Sequence, residues 1–209
     1  MLFFITGANG VGKTACLPVL ARQLSDFAVH DFADLGVPEN PDARWRQETT
    51  ELWLRTYIEK HQPQGRHVVV SGEAIFGEIL CSPSIDQVDA FHACLLDCDD
   101  VTRVDRLRAR GTYGPNMQIL CWAAFLRVHA VDPSWCPEVI QASEPSIMRW
   151  ERWTKHQRGD AVWQQELIDT SRLTFGGTRC GNREVDSGKT RWLEEIVIPA
   201  KAGIQTAFA

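Results

Sequence analysis

The chain has 209 residues and a mass of 23.6 kDa, with 44% hydrophobic and 23% charged residues. That composition builds a core and excludes a chain disordered throughout, and at ~100–200 residues per domain the length favours one domain with an appendage. The formal charge of −5, from 22 basic and 27 acidic residues, argues against a nucleic-acid-binding surface. No run approaches the ~20 apolar residues that span a bilayer, so no membrane partner is expected.

The first apolar run, Leu2 to Thr6, is long enough for one strand. Met1 to Ile5 lacks the positive region and cleavage site of a secretory signal. The strand leads directly into Gly7-Ala8-Asn9-Gly10-Val11-Gly12-Lys13-Thr14, the full G-x-x-x-x-G-K-[ST] pattern. Each fixed position has a chemical reason. Gly7, Gly10 and Gly12 let the backbone curl and aim its N–H groups inward. With the N-terminus of the next helix, those groups form a nest for phosphate oxygens. Lys13 brings a point charge to the β- and γ-phosphates, and Thr14 offers a hydroxyl to Mg²⁺. Ala15 to Leu24 reads as the required helix, with Leu17, Leu20 and Leu24 at helical spacing and Pro18 in its first turns. Nucleotide binding is therefore the leading expectation. Gly188-Lys189-Thr190 has Arg183 where the first glycine belongs and no strand before it, so it reads as chance.

Further along, Phe27 to His30 is a short strand ending at Asp31. Arg44 to His61 is a helix, broken by Gln62-Pro63-Gln64-Gly65. His67 to Ser71, with three consecutive valines, is typical of a buried parallel strand. Ala74 to Leu80 starts a helix or turn, Ala93 to Asp97 is a fourth strand, and Val101 to Arg110 is a helix. After the loop Gly111 to Pro115, Met117 to Val131 is apolar nearly all round, which predicts a buried helix. Glu166 to Thr170 is a fifth strand. Alternating strands and helices predict an α/β fold, a three-layer α/β/α P-loop NTPase fold with a five-stranded parallel sheet. Ligands of such sheets lie at the carboxyl ends of the strands. Asp31, Ser71-Gly72-Glu73, Asp97 to Asp100 and Asp169-Thr170-Ser171 should therefore rim one crevice. The seven scattered cysteines read as reduced thiols of a cytoplasmic protein. The tryptophans between residues 120 and 165 read as packing.

Residues 1–175 resemble the small P-loop kinases, that is, the nucleoside monophosphate kinases and relatives such as shikimate kinase, gluconate kinase and chloramphenicol phosphotransferase. The likeness rests on the phosphate loop, on Asp31-Phe32-Ala33-Asp34, and on the strand ends Val70-Ser71-Gly72, Leu96-Asp97 and Ile168-Asp169-Thr170. It also rests on the arginine-rich Arg103 to Gly111. Such chains are often labelled AAA-family ATPases, although the second-region arginine and sensor motifs of a ring-forming ATPase are not visible. The resemblance implies a kinase that uses ATP and Mg²⁺ to phosphorylate an unnamed small-molecule hydroxyl or phosphate acceptor. It implies that Gly7 to Thr14 hold the nucleotide, that Thr14 and Asp31 hold the metal, and that Asp31 or Asp34 engages the acceptor hydroxyl. Arg106 or Arg110 would close a lid over the phosphates, with Gly111 and Gly114 flanking its hinge. Many nucleotide kinases end strand three in aspartate; here Ser71-Gly72 stand there and Glu73 follows. The acceptor side is expected in the segment after strand two, where Arg44 and Arg46 are candidates to grip a substrate and Trp45 reads as a core anchor. Two rival readings are a nucleotide hydrolase without an acceptor and an inactive nucleotide-binding remnant. Residues 176–209 lose helical periodicity, and Ile196 to Gln205 resemble the translation of a dispersed bacterial genomic repeat. That tail is expected to be poorly ordered and without function.

Overall fold

The structure, a computed structural model, describes residues 1–111, 114–141, 146–163 and 165–172. The tail at 176–209 and Gly188-Lys189-Thr190 lie outside the described residues. Five strands run β1 (Leu2–Gly7), β2 (Phe27–Asp31), β3 (His67–Ser71), β4 (Phe91–Asp97) and β5 (Glu166–Asp169). They form one sheet in the order β2-β3-β1-β4-β5, and every pairing is parallel.

Side-chain alternation on β1 sends its residues to two cores. Phe3 and Ile5 join Val69, the α1 (Lys13–Gln23) residues Cys16 and Leu20, and Leu24, which caps that helix. Leu2 and Phe4 join Val68, Val70 and the α2 (Ala43–Thr56) residues Trp53 and Leu54. Helices thus cover both faces, which gives three layers. β1 is buried along its whole length. That explains why it carries no polar residue before Thr6, since each face must exclude water. β4 starts at Phe91, before the strand start expected at Ala93, because Leu2 of β1 pairs with Phe91.

Two expectations are corrected. The helix predicted over 44–61 ends as an α-helix at Thr56; Tyr57–His61 continue it as a wider π turn. The helix over 117–131 is α5 (Met117–His129), and it is one-faced rather than buried all round. Ala123, Phe125, Leu126 and His129 face the core, while Met117 is 73% exposed. Apolar composition alone did not reveal which side lacks a covering layer. The tryptophan cluster does pack. Trp153 and Trp163 are buried, and their indole N–H groups donate to the Pro133 and His129 carbonyls. Trp45 anchors as expected, edge-on to Phe32 and donating to the Gly36 carbonyl.

The shorter elements complete the frame. α3 (Phe76–Cys81) follows the β3 loop, and α4 (Asp100–Arg110) follows β4. α4 is capped by Asp99, whose carboxylate accepts from the Thr102 N–H and hydroxyl.

Candidate functional site

The loop between β1 and α1 is shaped by close approach. A Cβ on Gly7 would stand 2.4 Å from the Leu96 carbonyl oxygen, so β4 leaves room only for glycine. Gly10 has φ +90°, and a Cβ there would stand 2.9 Å from Arg103 Cγ. The loop therefore lies directly on α4, and N–H groups at the start of α1 can cradle phosphate oxygens. Lys13 folds back over the loop. Its ammonium donates to the Gly7 carbonyl at 2.6 Å and the Ala8 carbonyl at 3.1 Å, and lies 3.6 Å from Glu73 Oε1.

A parallel sheet in the order β2-β3-β1-β4-β5, with a G-x-x-x-x-G-K-T loop joining its central strand to a helix, decides the fold. It is a P-loop NTPase fold.

Register brings the second strand to this loop. Asp31 pairs with Ser71, whose hydroxyl lies 3.4 Å from the Lys13 carbonyl. The Thr14 hydroxyl donates to Asp31 Oδ2 at 3.4 Å. The other Asp31 oxygen accepts from the Ala33 N–H at 3.0 Å, which orients the carboxylate. Thr14 and Asp31, from segments 17 residues apart, meet as the sequence suggested. Asp34 does something else. It accepts from the Asp31 N–H at 3.1 Å and lies 3.5 Å from His30 Nδ1, completing a capping box. Of the two aspartates, Asp31 stands beside the loop and Asp34 supports it.

The arginines of α4 divide similarly. Arg106 reaches the loop: its guanidinium donates to the Thr170 carbonyl at 2.6 Å and the Thr170 hydroxyl at 3.2 Å, with Gly10 O at 3.5 Å. Thr170 in turn donates to the Val11 carbonyl at 2.7 Å. Arg106 thus ties the end of β5 to the phosphate loop. Arg110 is exposed at the last turn of α4. Arg103 is fully buried against Gly10 and pairs with Asp100 at 2.5 Å.

Four contacts were not read from the sequence. Arg127 of α5 holds Asp97 at 2.5 Å and Asp100 at 2.8 Å, so the end of β4 is neutralised by a helix 30 residues on. The Arg127 hydrogen bond, ahead of burial, lowers the Asp100 carboxyl below its ordinary range. Arg46 of α2 grips Glu78 of α3 through two bonds of 2.8 Å. The face of Trp122 lies 5.3 Å from the Arg46 guanidinium. A spacing of 32 residues carries no local signal for such a pair; the one cue was an acidic residue on a buried helix.

The site fits Mg²⁺ and a nucleotide by the chemistry of its donors. A hydroxyl and a carboxylate oxygen suit a hard cation, and a lysine with loop amides suits phosphates.

Solved structures similar to this chain include a gluconokinase from Sinorhizobium meliloti, at 12% identity over 82% of this chain and 83% of that one, with TM-score 0.48. A sugar kinase from Janibacter sp. matches at 15% identity over 81% and 84%, with TM-score 0.46. A shikimate kinase from Aquifex aeolicus matches at 10% identity over 98% and 99%, with TM-score 0.46. No protein-family model and no curated protein matches the chain.

Proposed function

We propose that the chain is an ATP- and Mg²⁺-dependent phosphotransferase acting on a small hydroxylated acceptor. The observation that carries this reading is the Asp31 carboxylate, held beside Thr14 at the mouth of the phosphate loop. A carboxylate at this place can support Mg²⁺ beside Thr14 and, in a transferase, receive the acceptor's proton.

Each residue then has a task. The Gly7–Thr14 segment, including Ala8, Asn9 and Val11, wraps the phosphates with backbone N–H groups. Lys13 leaves the carbonyls of Gly7 and Ala8, which are weaker partners than a phosphate, and follows the charge that shifts onto the leaving group. Thr14 and Asp31 would hold Mg²⁺, which supplies charge neutralisation at the phosphates. Asp31 aligns the acceptor hydroxyl and takes its proton as the new O–P bond forms and the bond to ADP breaks. Asp34 keeps Asp31 in place through its backbone N–H. Arg106 keeps the loop against β5 and sits near enough to Gly10 to meet phosphate charge. Arg110 lies one helical turn farther and would join on lid closure. A cytoplasmic setting suits these roles, because ATP is supplied there.

The test is ADP release from ATP and Mg²⁺ in the presence of pooled nucleosides, nucleotides, sugars and hydroxylated antibiotics. Acceptor-dependent release is expected, and Lys13→Ala should lower it by about 10²–10³-fold. Equal release in every pool would instead establish a hydrolase.

A further inference from the structure

In the segment after β2, where the acceptor is expected, Arg46 is already occupied. Arg46 is 13% exposed and Glu78 is fully buried, so their paired bonds form out of water. A bidentate guanidinium–carboxylate pair fixes both groups and directs two N–H donors away from any ligand. Trp122 covers one face of the guanidinium. Glu73 and Asp42 add further attraction on Arg46. Glu73 is also the residue that reaches Lys13, at 3.6 Å. Beside Arg46, Gln47 is buried and neutral, with the Ser146 hydroxyl donating to it at 2.7 Å.

The balance of charge here is negative. One guanidinium meets one carboxylate in direct contact and two more nearby. When Lys13 turns to the donor phosphates, Glu73 loses its ammonium partner and the balance becomes more negative still. A phosphate or carboxylate on the acceptor would have to displace Glu78 from Arg46 and approach Glu73, both against like charge.

We infer that Glu78, by occupying Arg46, makes this site select hydroxylated acceptors that carry no phosphate or carboxylate, with neutral and ammonium-bearing compounds favoured. The inference rests on the phosphotransferase reading above and narrows its substrate class. Glu78 is a specificity-determining residue that acts through Arg46, and Glu73 supports it.

Two measurements test this. The first is ADP release with matched acceptors: adenosine against AMP, and glucose or glucosamine against gluconate. The uncharged or ammonium-bearing member should lead its anionic partner by about tenfold or more in kcat/KM, the discrimination that like-charge contact supplies. Glu78→Gln and Glu73→Gln should each narrow that lead, chiefly by lowering KM for the anionic member. Glu73 is part-exposed, so its variant serves where Glu78→Gln fails to fold. An anionic acceptor favoured by the unaltered protein overturns the inference, as does an unchanged ratio in both variants.

The second measurement does not need turnover. Gluconate and AMP are titrated calorimetrically into the protein saturated with a non-hydrolysable ATP analogue. No binding is expected in the unaltered chain, and binding is expected in Glu73→Gln or Glu78→Gln. Anion binding by the unaltered chain that Arg46→Met removes overturns the inference. ADP release independent of every acceptor would overturn the phosphotransferase reading instead, and the titration would still decide the charge of the cleft.

Discussion

On the proposed donor side, Asp31 ends β2, and Lys13 and Thr14 open α1 directly after the phosphate loop. On the proposed acceptor side, Arg46, Glu78 and Trp122 come from three helices and hold one another through side chains. The donor side is part-exposed, and Lys13 rests on carbonyls that it can leave. The proposed acceptor side is buried, and Arg46 there is already held by Glu78. Backbone geometry suits a ligand common to many reactions, because N–H groups recognise any phosphate. Buried side-chain pairs suit discrimination, because a wrong ligand must break them.

The comparison is most sharply tested at Asp31. Asp31→Asn should lower transfer by about 10²–10⁴-fold, the worth of a positioned general base, while ATP affinity measured by calorimetry is retained. Next in size is Glu78→Ala, which strands Arg46 in the interior. Denaturant unfolding should show a loss of about 3–5 kcal/mol, because an uncompensated buried charge remains. A comparable loss from Lys13→Ala would erase the distinction between the two sides.

Acid should weaken the acceptor side first. The buried ring of His129 in α5 accepts from the Gly77 N–H at 3.2 Å, next to Glu78. Burial pushes its pKa from 6.5 down to about 3. The unfolded chain therefore binds the proton more readily than the folded one, and stability falls as pH drops below 6.5 toward about 3. Between about pH 7 and about pH 5 this amounts to about 2 kcal/mol, to be read from unfolding curves, and His129→Phe should flatten the dependence.

The smallest effect expected is at Asp34. Asp34→Ala removes a cap and should cost about 1 kcal/mol in unfolding free energy, with a fall in transfer far below that of Asp31→Asn. Equal losses at the two aspartates would mean that the cap itself is part of the chemistry.

Much of the fold was legible because its signals are local. The valine run of β3 and the spacing of leucines in α1 reflect burial on a fixed period, which neighbouring residues carry between them. The end of α2 and the exposed side of α5 were not, since each depends on what lies across the gap. Met117 is apolar, yet nothing among the described residues covers it.

The sequence by itself determined the phosphate loop. Glycine, lysine and threonine at fixed spacing dictate a backbone shape, and that shape needs no distant partner beyond a strand and a helix. Tertiary structure alone decided which aspartate stands at the loop, that Arg106 reaches it, and that Arg46 is bound to Glu78. Those choices depend on strand register and on helices meeting across many residues. A charge announces itself in a sequence, but its partner is chosen by distance in the folded chain.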